Sequence, residues 1–268
     1  MELTSLDQIN QQYRQVYFQP HFDDAVLSCG GSIALQTATG NRVLVVTVFG
    51  GIPAAGARIS SFASQTLQQM GLSTDPAEAT RQRRAEDQAA VESLGADVLW
   101  LDYLDAIFRG NPAYYQGDDA LFGNVNPADL SLDEELAGVF LAIHERAPLA
   151  ALYAPLGIGH HVDHQLCCSA ADRLAQRKLN VKFYEDFPYV TNSGALTARQ
   201  RELNITMEAE MVEISGVSRP KEEAVALYRS QLPGLFGSGD QMIRALNGYS
   251  SSIRKTQPGI MIERYWRW

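Results

Sequence analysis

Two short clusters of histidines and carboxylates stand out among the 268 residues of this chain as groups that could do chemistry. Residues 21–24 read His-Phe-Asp-Asp, and residues 161–164 read His-Val-Asp-His. Two histidine nitrogens and one carboxylate oxygen, with a fourth position open to water, form the usual ligand set of a catalytic zinc ion. A further carboxylate beside such ligands can take the proton of that water. The two clusters therefore predict a metal-dependent hydrolase.

An apolar, strand-like run precedes each cluster. Segment 15–20 ends just before the first cluster, and segment 149–155 ends shortly before the second. In proteins with an open parallel sheet, small molecules and metal ions bind at the carboxyl ends of the strands, where the loops leave the sheet. A single His-x-x-Asp spacing is commonly only a turn or a helix cap, but two such clusters at strand ends favour a metal site. We therefore expect both clusters to meet on one rim of a sheet.

The first two-thirds of the chain alternate between strand-like and helix-like segments. This β-α-β-α order predicts a mostly parallel α/β sheet with helices on both faces. The expected strands are 15–20, 42–49, 97–101, 149–155 and 181–184, and the expected helices are 25–39, 77–94, 131–146 and 164–178.

The last third is less regular. It predicts a strand at 206–215, an amphipathic helix at 220–231 and an edge strand at 262–268. We interpret this part as a C-terminal α+β appendage on the same domain. The expectation is one domain over residues 1–268, with a core at about 15–190 and the appendage at about 191–268.

Composition narrows the class of function. Lys and Arg number 22 against 31 Asp and Glu, and the net charge of -9 argues against binding to nucleic acid. No apolar stretch approaches the roughly 20 residues of a membrane span, and residues 1–15 do not read as a secretory signal. Three cysteines without a CxxC pair suit a reducing compartment. We expect a cytoplasmic protein with a small-molecule partner; the tryptophan-containing tail leaves a homo-oligomer open.

Longer motifs around the two clusters carry a resemblance to a known family. Residues 19–31 and 155–164 resemble the two signatures of the PIG-L/LmbE zinc-dependent N-deacetylases, which include GlcNAc-PI de-N-acetylase. Arg83 and Asp105 match two weaker family motifs, and the likeness runs from about residue 15 to 190. Phe22 stands where proline is usual, and Ala25 stands where glutamate is usual.

The resemblance implies a Rossmann-like fold, a zinc ion (or another divalent metal), and removal of an N-acetyl group from an N-acetylglucosamine-like sugar or glycoconjugate. It also implies a role for each matched residue. The metal ligands would be His21, Asp24 and His164; Asp23 would be the general base; His161, charged and held by Asp163, would stabilise the tetrahedral intermediate; and Arg83 and Asp105 would grip the sugar.

Two other functions stay open on the sequence. One is a zinc amidase that cleaves a larger amide from a sugar conjugate. The other is a non-catalytic sugar- or nucleotide-binding module with a relic metal site, for which Ala25 is the only hint. The aromatic residues at 103, 108, 114, 115 and 122 fit equally well with a lid over the substrate and with ordinary loop packing.

Overall fold

A computed structural model describes residues 1–253 and 259–268 of the chain. Eight strands form one sheet in the order β1-β4-β3-β2-β5-β6-β8-β7. Neighbours among the first six strands in this order run parallel, whereas β8 is antiparallel to both β6 and β7. The strands are β1 (Glu2–Leu3), β2 (Tyr13–Gln19), β3 (Arg42–Thr47), β4 (Asp97–Trp100), β5 (Ala151–Pro155), β6 (Val181–Tyr184), β7 (Glu208–Glu213) and β8 (Ile262–Arg267).

Ten α-helices accompany the sheet in the described part of the chain. They are α1 (Asp24–Ala38), α2 (Ser61–Gln69), α3 (Pro76–Ser93), α4 (Asp118–Leu121), α5 (Ser131–Arg146), α6 (Val162–Gln176), α7 (Ala195–Leu203), α8 (Ser218–Val225), α9 (Leu232–Phe236) and α10 (Gly239–Ile253). Among the described residues, no helix is both long and apolar enough to cross a membrane.

Both faces of the sheet are buried, as the continuous apolar strands require. Side chains alternate along β2, so Val16 and Phe18 pack into the core cluster that includes residues of α5 and α6. Tyr17 points to the opposite face, where it joins residues of α1, α3 and α8. Phe140 of α5 stacks on Phe18 with ring centroids 3.8 Å apart. The predicted α/β fold with helices on both faces is confirmed.

The C-terminal third extends the same sheet rather than forming a sheet of its own. Strands β7 and β8 lie beyond β6, close to where the sequence places them. Glu263 of β8 ties this part to the core, because its carboxylate accepts hydrogen bonds from the backbone N–H groups of Gly31 and Ser32 and from Lys221 Nζ. The helix expected at 220–231 is shorter and is followed by α9, and α10 has no counterpart in the sequence prediction.

Candidate metal and active site

The topology brings the two clusters together. Strand β2 ends at Gln19 and strand β5 ends at Pro155, and these strands are parallel neighbours in the sheet. The loop after β2 carries the first cluster into α1, and the loop after β5 carries the second into α6. Helix α6 begins at Val162, two residues earlier than predicted, with His161 as its N-cap. Both clusters therefore reach the same rim of the sheet.

Three side chains converge on one point of this rim. The Oδ2 atom of Asp24 lies 3.6 Å from Nδ1 of His21 and 3.4 Å from Nε2 of His164. A tetrahedral metal with bonds of about 2.0–2.2 Å holds its ligand atoms roughly 3.3–3.6 Å apart. All three side chains are nearly inaccessible to solvent. The donor types and these two distances to Asp24 fit a divalent metal ion.

Carboxylates hold the other nitrogen of both imidazoles. Nε2 of His21 donates to Oδ2 of Asp163 at 2.9 Å, and Nδ1 of His164 donates to Oδ1 of Asp186 at 2.7 Å. Such bonds fix the tautomer and orientation of a metal-binding histidine. Each ring therefore has one nitrogen anchored and turns its other nitrogen towards Asp24. This arrangement is typical of a metal centre.

The carboxylate of Asp163 anchors His21, whereas the resemblance implies that it holds His161. Besides its bond to His21, its Oδ2 accepts the backbone N–H of Ala106 at 3.0 Å, and its Oδ1 lies 2.7 Å from Nη2 of Arg109. Asp163 lies in the first turn of α6, and its carboxylate makes no hydrogen bond to the His161 ring. Burial alone raises the pKa of Asp163, but the charge of Arg109 and the His21 contact hold it well below its usual value.

His161 differs from the expected charged group. Its Nδ1 accepts the backbone N–H of Asp163 at 3.2 Å, so the proton of the neutral ring sits on Nε2. Burial, followed by the positive charge of nearby His21, holds the pKa of His161 well below its usual value. The ring packs edge-on against His21, with centroids 4.7 Å apart. His161 is thus placed as a neutral hydrogen-bond donor.

Asp23 sits in a strained backbone conformation at the start of α1. Its φ is +114°, which is uncommon for a residue other than glycine. Its carboxylate makes no capping hydrogen bond to the helix and lines the pocket in front of the three converging side chains. Burial, followed by the charge of Asp24, raises the pKa of Asp23 to about 8.

Arg83 and Asp105 lie side by side at the same pocket. Nη1 of Arg83 is 3.6 Å from Oδ2 of Asp105, and Nη2 of Arg83 donates to the backbone carbonyl of Phe22. Oδ2 of Asp105 is also 3.9 Å from Nε2 of His21. Both side chains line the pocket, so a substrate can reach them.

The pocket has a volume of about 500 Å³, within the usual range for small-molecule sites. Of the loop aromatics, Phe122 lines it and packs against His161, with ring centroids 5.3 Å apart. Tyr115 is buried instead, and its hydroxyl donates to Asp129. The aromatic loop therefore serves partly as pocket wall and partly as ordinary packing.

Among the described residues, two groupings bring three donor atoms within 4.8 Å of one another, and the set of His21, Asp24 and His164 is not one of them. The first grouping comprises ring nitrogens of His21, His161 and His164, and the second comprises donor atoms of His21, Asp105 and Asp163. The second grouping is a poor metal site, because Asp163 is already engaged by Arg109 and Ala106. The three-histidine grouping differs from the implied ligand set only in replacing Asp24 by His161.

Sequence reasoning missed two residues that support the centre, Asp186 and Arg109. Asp186 follows β6, the parallel neighbour of β5, so an acidic residue just after that strand was the available signal. Arg109 bridges Asp163 and Asp129 from the long loop after β4. Nothing in its local sequence indicates that contact.

The chain is similar to known deacetylases. The family model for GlcNAc-PI de-N-acetylase (PIG-L) matches residues 16–175. The chain is 32% identical over 243 residues to a 2'-N-acetylparomamine deacetylase of Niallia circulans, covering 85% of each chain. A second 2'-N-acetylparomamine deacetylase, from Streptomyces fradiae, is 28% identical over 81% of this chain and 73% of its own.

A solved structure is similar over nearly the whole chain. The zinc-inhibited form of a teicoplanin deacetylase superposes with a TM-score of 0.80 at 28% identity, covering 94% of this chain and 97% of the other. The family match spans more than half of the described fold and includes both clusters. The chain therefore belongs to the PIG-L family of N-deacetylases, the family of GlcNAc-PI de-N-acetylase.

Proposed function

We propose that this protein is a zinc-dependent N-deacetylase that removes the acetyl group from an amino-sugar unit of a cationic glycoconjugate. One observation carries the proposal. Asp24 lies at ligand spacing from two histidines whose outer nitrogens are each held by a carboxylate, and an unengaged carboxylate, Asp23, stands beside them.

His21 through Nδ1, Asp24 through Oδ2 and His164 through Nε2 would hold the metal. We favour zinc because a set of two imidazoles and one carboxylate suits this borderline ion. When bound, the zinc ion would polarise the acetyl carbonyl and lower the pKa of a water molecule towards about 7. The outer nitrogens of both histidines are already hydrogen-bonded to carboxylates, so these two rings are held as ligands rather than as proton carriers.

Asp23 would be the general base. It precedes Asp24 in the chain, yet its strained backbone directs its carboxylate into the pocket without an internal hydrogen bond. The charge of a bound metal ion would lower the raised pKa of Asp23. A carboxylate so placed can accept the proton of the attacking water and return it to the departing amine. Both transfers run through one group, so the site needs no second titrating acid.

His161 would assist as a neutral donor. Its Nδ1 is taken by the backbone N–H of Asp163, which leaves Nε2–H for the acyl oxygen of the substrate. A fixed donor aimed at developing negative charge lowers the barrier without reorganising during the reaction. This role replaces the charged histidine that the resemblance implies.

Charge in the pocket favours a cationic substrate. Apart from Asp23 and Asp24, the carboxylates of Asp105 and Asp118 face this cavity, and Arg83 is the guanidinium that lines it. The whole chain carries a net charge of -9. An acidic cleft attracts polyamines and disfavours anionic conjugates. Two relatives are named 2'-N-acetylparomamine deacetylase, and we propose the same class of substrate here, an N-acetylated amino-sugar conjugate that also carries free amines.

An amine-release assay tests the proposal. Metal-free protein is reloaded with one equivalent of zinc and incubated with 2'-N-acetylparomamine, with N-acetylglucosamine and with an N-octanoyl analogue of paromamine. We expect release of primary amine and acetate in equal amounts from the first compound, slower release from the second, and none from metal-free protein or from His164→Ala.

Other outcomes separate the alternatives. Faster turnover of the octanoyl compound would identify an amidase for larger acyl groups. Stoichiometric zinc with ligand binding but no amine release from any compound would identify a binding module. Parallel loading with Mn²⁺, Co²⁺ and Fe²⁺, and with a tenfold excess of zinc, shows whether zinc activates or inhibits.

A further inference from the structure

Tyr189 occupies a prominent position in the pocket, although neither cluster contains it. It begins a short 3₁₀ turn, Tyr189–Thr191, that follows strand β6. Its ring packs edge-on against His164, with centroids 5.8 Å apart. It also packs against the ring of Phe122, with centroids 6.0 Å apart. The side chain lines the same cavity as the converging ligands. Tyr189 is thus the aromatic residue that borders the metal side of the pocket.

The backbone at Gly159 is shaped to accept this ring. A Cβ atom built on Gly159 would lie 2.6–2.8 Å from three atoms of the Tyr189 side chain, closer than real Cβ contacts. The φ of Gly159 is +91°, a conformation that other residues rarely adopt. The backbone N–H of Val190 also donates to the carbonyl of Asp186, the residue that holds His164. These contacts hold the ring in one position.

The hydroxyl group of Tyr189 has no protein partner. Within residues 1–253 and 259–268, no hydrogen bond involves it, whereas the hydroxyls of Tyr115, Tyr184 and Tyr228 each have at least one. A phenol is protonated at neutral pH. A fixed phenol that lines the pocket, with its proton uncommitted, is available to a bound substrate.

We propose that Tyr189 is a further catalytic residue, whose hydroxyl donates a hydrogen bond to the acyl oxygen as the carbonyl carbon becomes tetrahedral. Phe122 packs against both His161 and Tyr189, so the two proposed donors contact the same aromatic ring of the pocket. The proton stays on the phenol throughout, and no bond of Tyr189 is made or broken. This inference rests on the proposed deacetylation, because the oxyanion forms only in that reaction. The oxyanion would then have two protein donors, His161 and Tyr189, instead of one.

Tyr189→Phe tests the role, since it removes one oxygen atom and keeps the ring that packs on His164 and Gly159. Removing one donor of an oxyanion site typically lowers kcat by about 10²–10³-fold. We expect a loss of that order on the fastest substrate of the amine-release panel, with KM changed less than about threefold. Metal stoichiometry and Tm should stay at wild-type values. Tyr114→Phe, at an exposed residue outside the pocket, is the matched control and should match wild type in every measurement.

A binding measurement separates this proposal from the proposed function. The probe is a methylphosphonate analogue of N-acetylglucosamine, whose tetrahedral anionic group mimics the intermediate, and calorimetry reports its affinity for the zinc-loaded protein. Tyr189→Phe should weaken this affinity at least tenfold. Unchanged kcat and unchanged analogue affinity, with an active wild type, would overturn the role of Tyr189 alone. A wild type that neither releases amine nor binds the analogue would overturn both proposals. A variant that loses metal, or whose KM rises while kcat stays constant, would show a positioning or binding role instead.

Discussion

Replacing Asp186 by asparagine isolates the contribution of one carboxylate that no sequence motif identified. Oδ1 of Asp186 accepts the proton of His164 Nδ1 at 2.7 Å, and Oδ2 accepts the backbone N–H of Ile158 at 2.8 Å. Asparagine has nearly the same shape but only one acceptor oxygen. One of the two donors must therefore face an NH₂ group. Either the imidazole changes tautomer or the Ile158 N–H loses its partner.

The size of the effect follows from these contacts. The carboxylates and rings around His164 are almost completely buried, so water cannot replace a lost acceptor. An unsatisfied buried donor costs about 1–3 kcal/mol. Loss of a carboxylate that orients a metal-binding histidine typically weakens metal binding about 10- to 100-fold, which corresponds to roughly 1.4–2.7 kcal/mol. We therefore expect the zinc dissociation constant of Asp186→Asn to rise 10- to 100-fold.

Competition titration against a chromophoric chelator measures that constant. Asp172→Asn is the matched control. Asp172 lies in α6, and its carboxylate also accepts two hydrogen bonds, but from Trp268 and Gln176, which belong to neither cluster. Its zinc affinity should equal that of wild type. If Asp186→Asn also binds zinc within twofold of wild type while His164→Ala binds none, the hydrogen bond does not set the ring orientation and the reasoning is refuted.

Three further predictions concern the base, the core and the dependence of stability on pH. Asp23→Asn should keep stoichiometric zinc and lower kcat at least 10²-fold, because it removes the proton acceptor and no ligand; near-wild-type turnover in the amine-release assay would remove Asp23 from this role. Phe140→Ala should lower the free energy of unfolding by about 3–5 kcal/mol in urea titrations, because Phe140 is fully buried and stacked on Phe18; a loss below 1 kcal/mol would mean that the α5 interface is loosely packed. Burial by itself raises the pKa of Asp97, but hydrogen bonds from Arg42 and Tyr13 outweigh burial, so the pKa lies below its usual value. The stabilisation is therefore present above about pH 4 and is lost as the pH falls through the folded-state pKa. Asp97→Asn should destabilise the protein more at pH 7 than at pH 3; an equal deficit at both values would contradict the ion pair.

The fold was largely predictable because its central strands are local features of the chain. Segment 42–49 is apolar at almost every position and became β3, Arg42–Thr47, which is covered on both faces. The small helix α2 was not predictable, because it starts in a loop rich in glycine, alanine and serine. The Ser60 side chain caps this helix, and Ala63 packs against Ala106 and Ile107. Helix α10 likewise buries only Met242, Leu246 and Ser250 and contains Gly248.

The candidate site divides in the same way. The location of the clusters was predictable, because parallel strands carry their carboxyl ends to one rim. The contacts of Asp163 were not, since its partners Arg109 and Ala106 come from a loop more than fifty residues away in sequence. Spacing reports which side chains share a helix turn. It does not report which neighbouring loop supplies the donors that fill their remaining acceptors.

The central claim is that His21, Asp24 and His164 coordinate one divalent metal ion. Anomalous diffraction at the zinc edge, from crystals of protein loaded with one equivalent of zinc, tests it most directly. The account predicts a single peak about 2.0–2.2 Å from Nδ1 of His21, an Asp24 carboxylate oxygen and Nε2 of His164, with His161 outside bonding distance. A peak bonded to His161 in place of Asp24, or no peak at this rim, would contradict it.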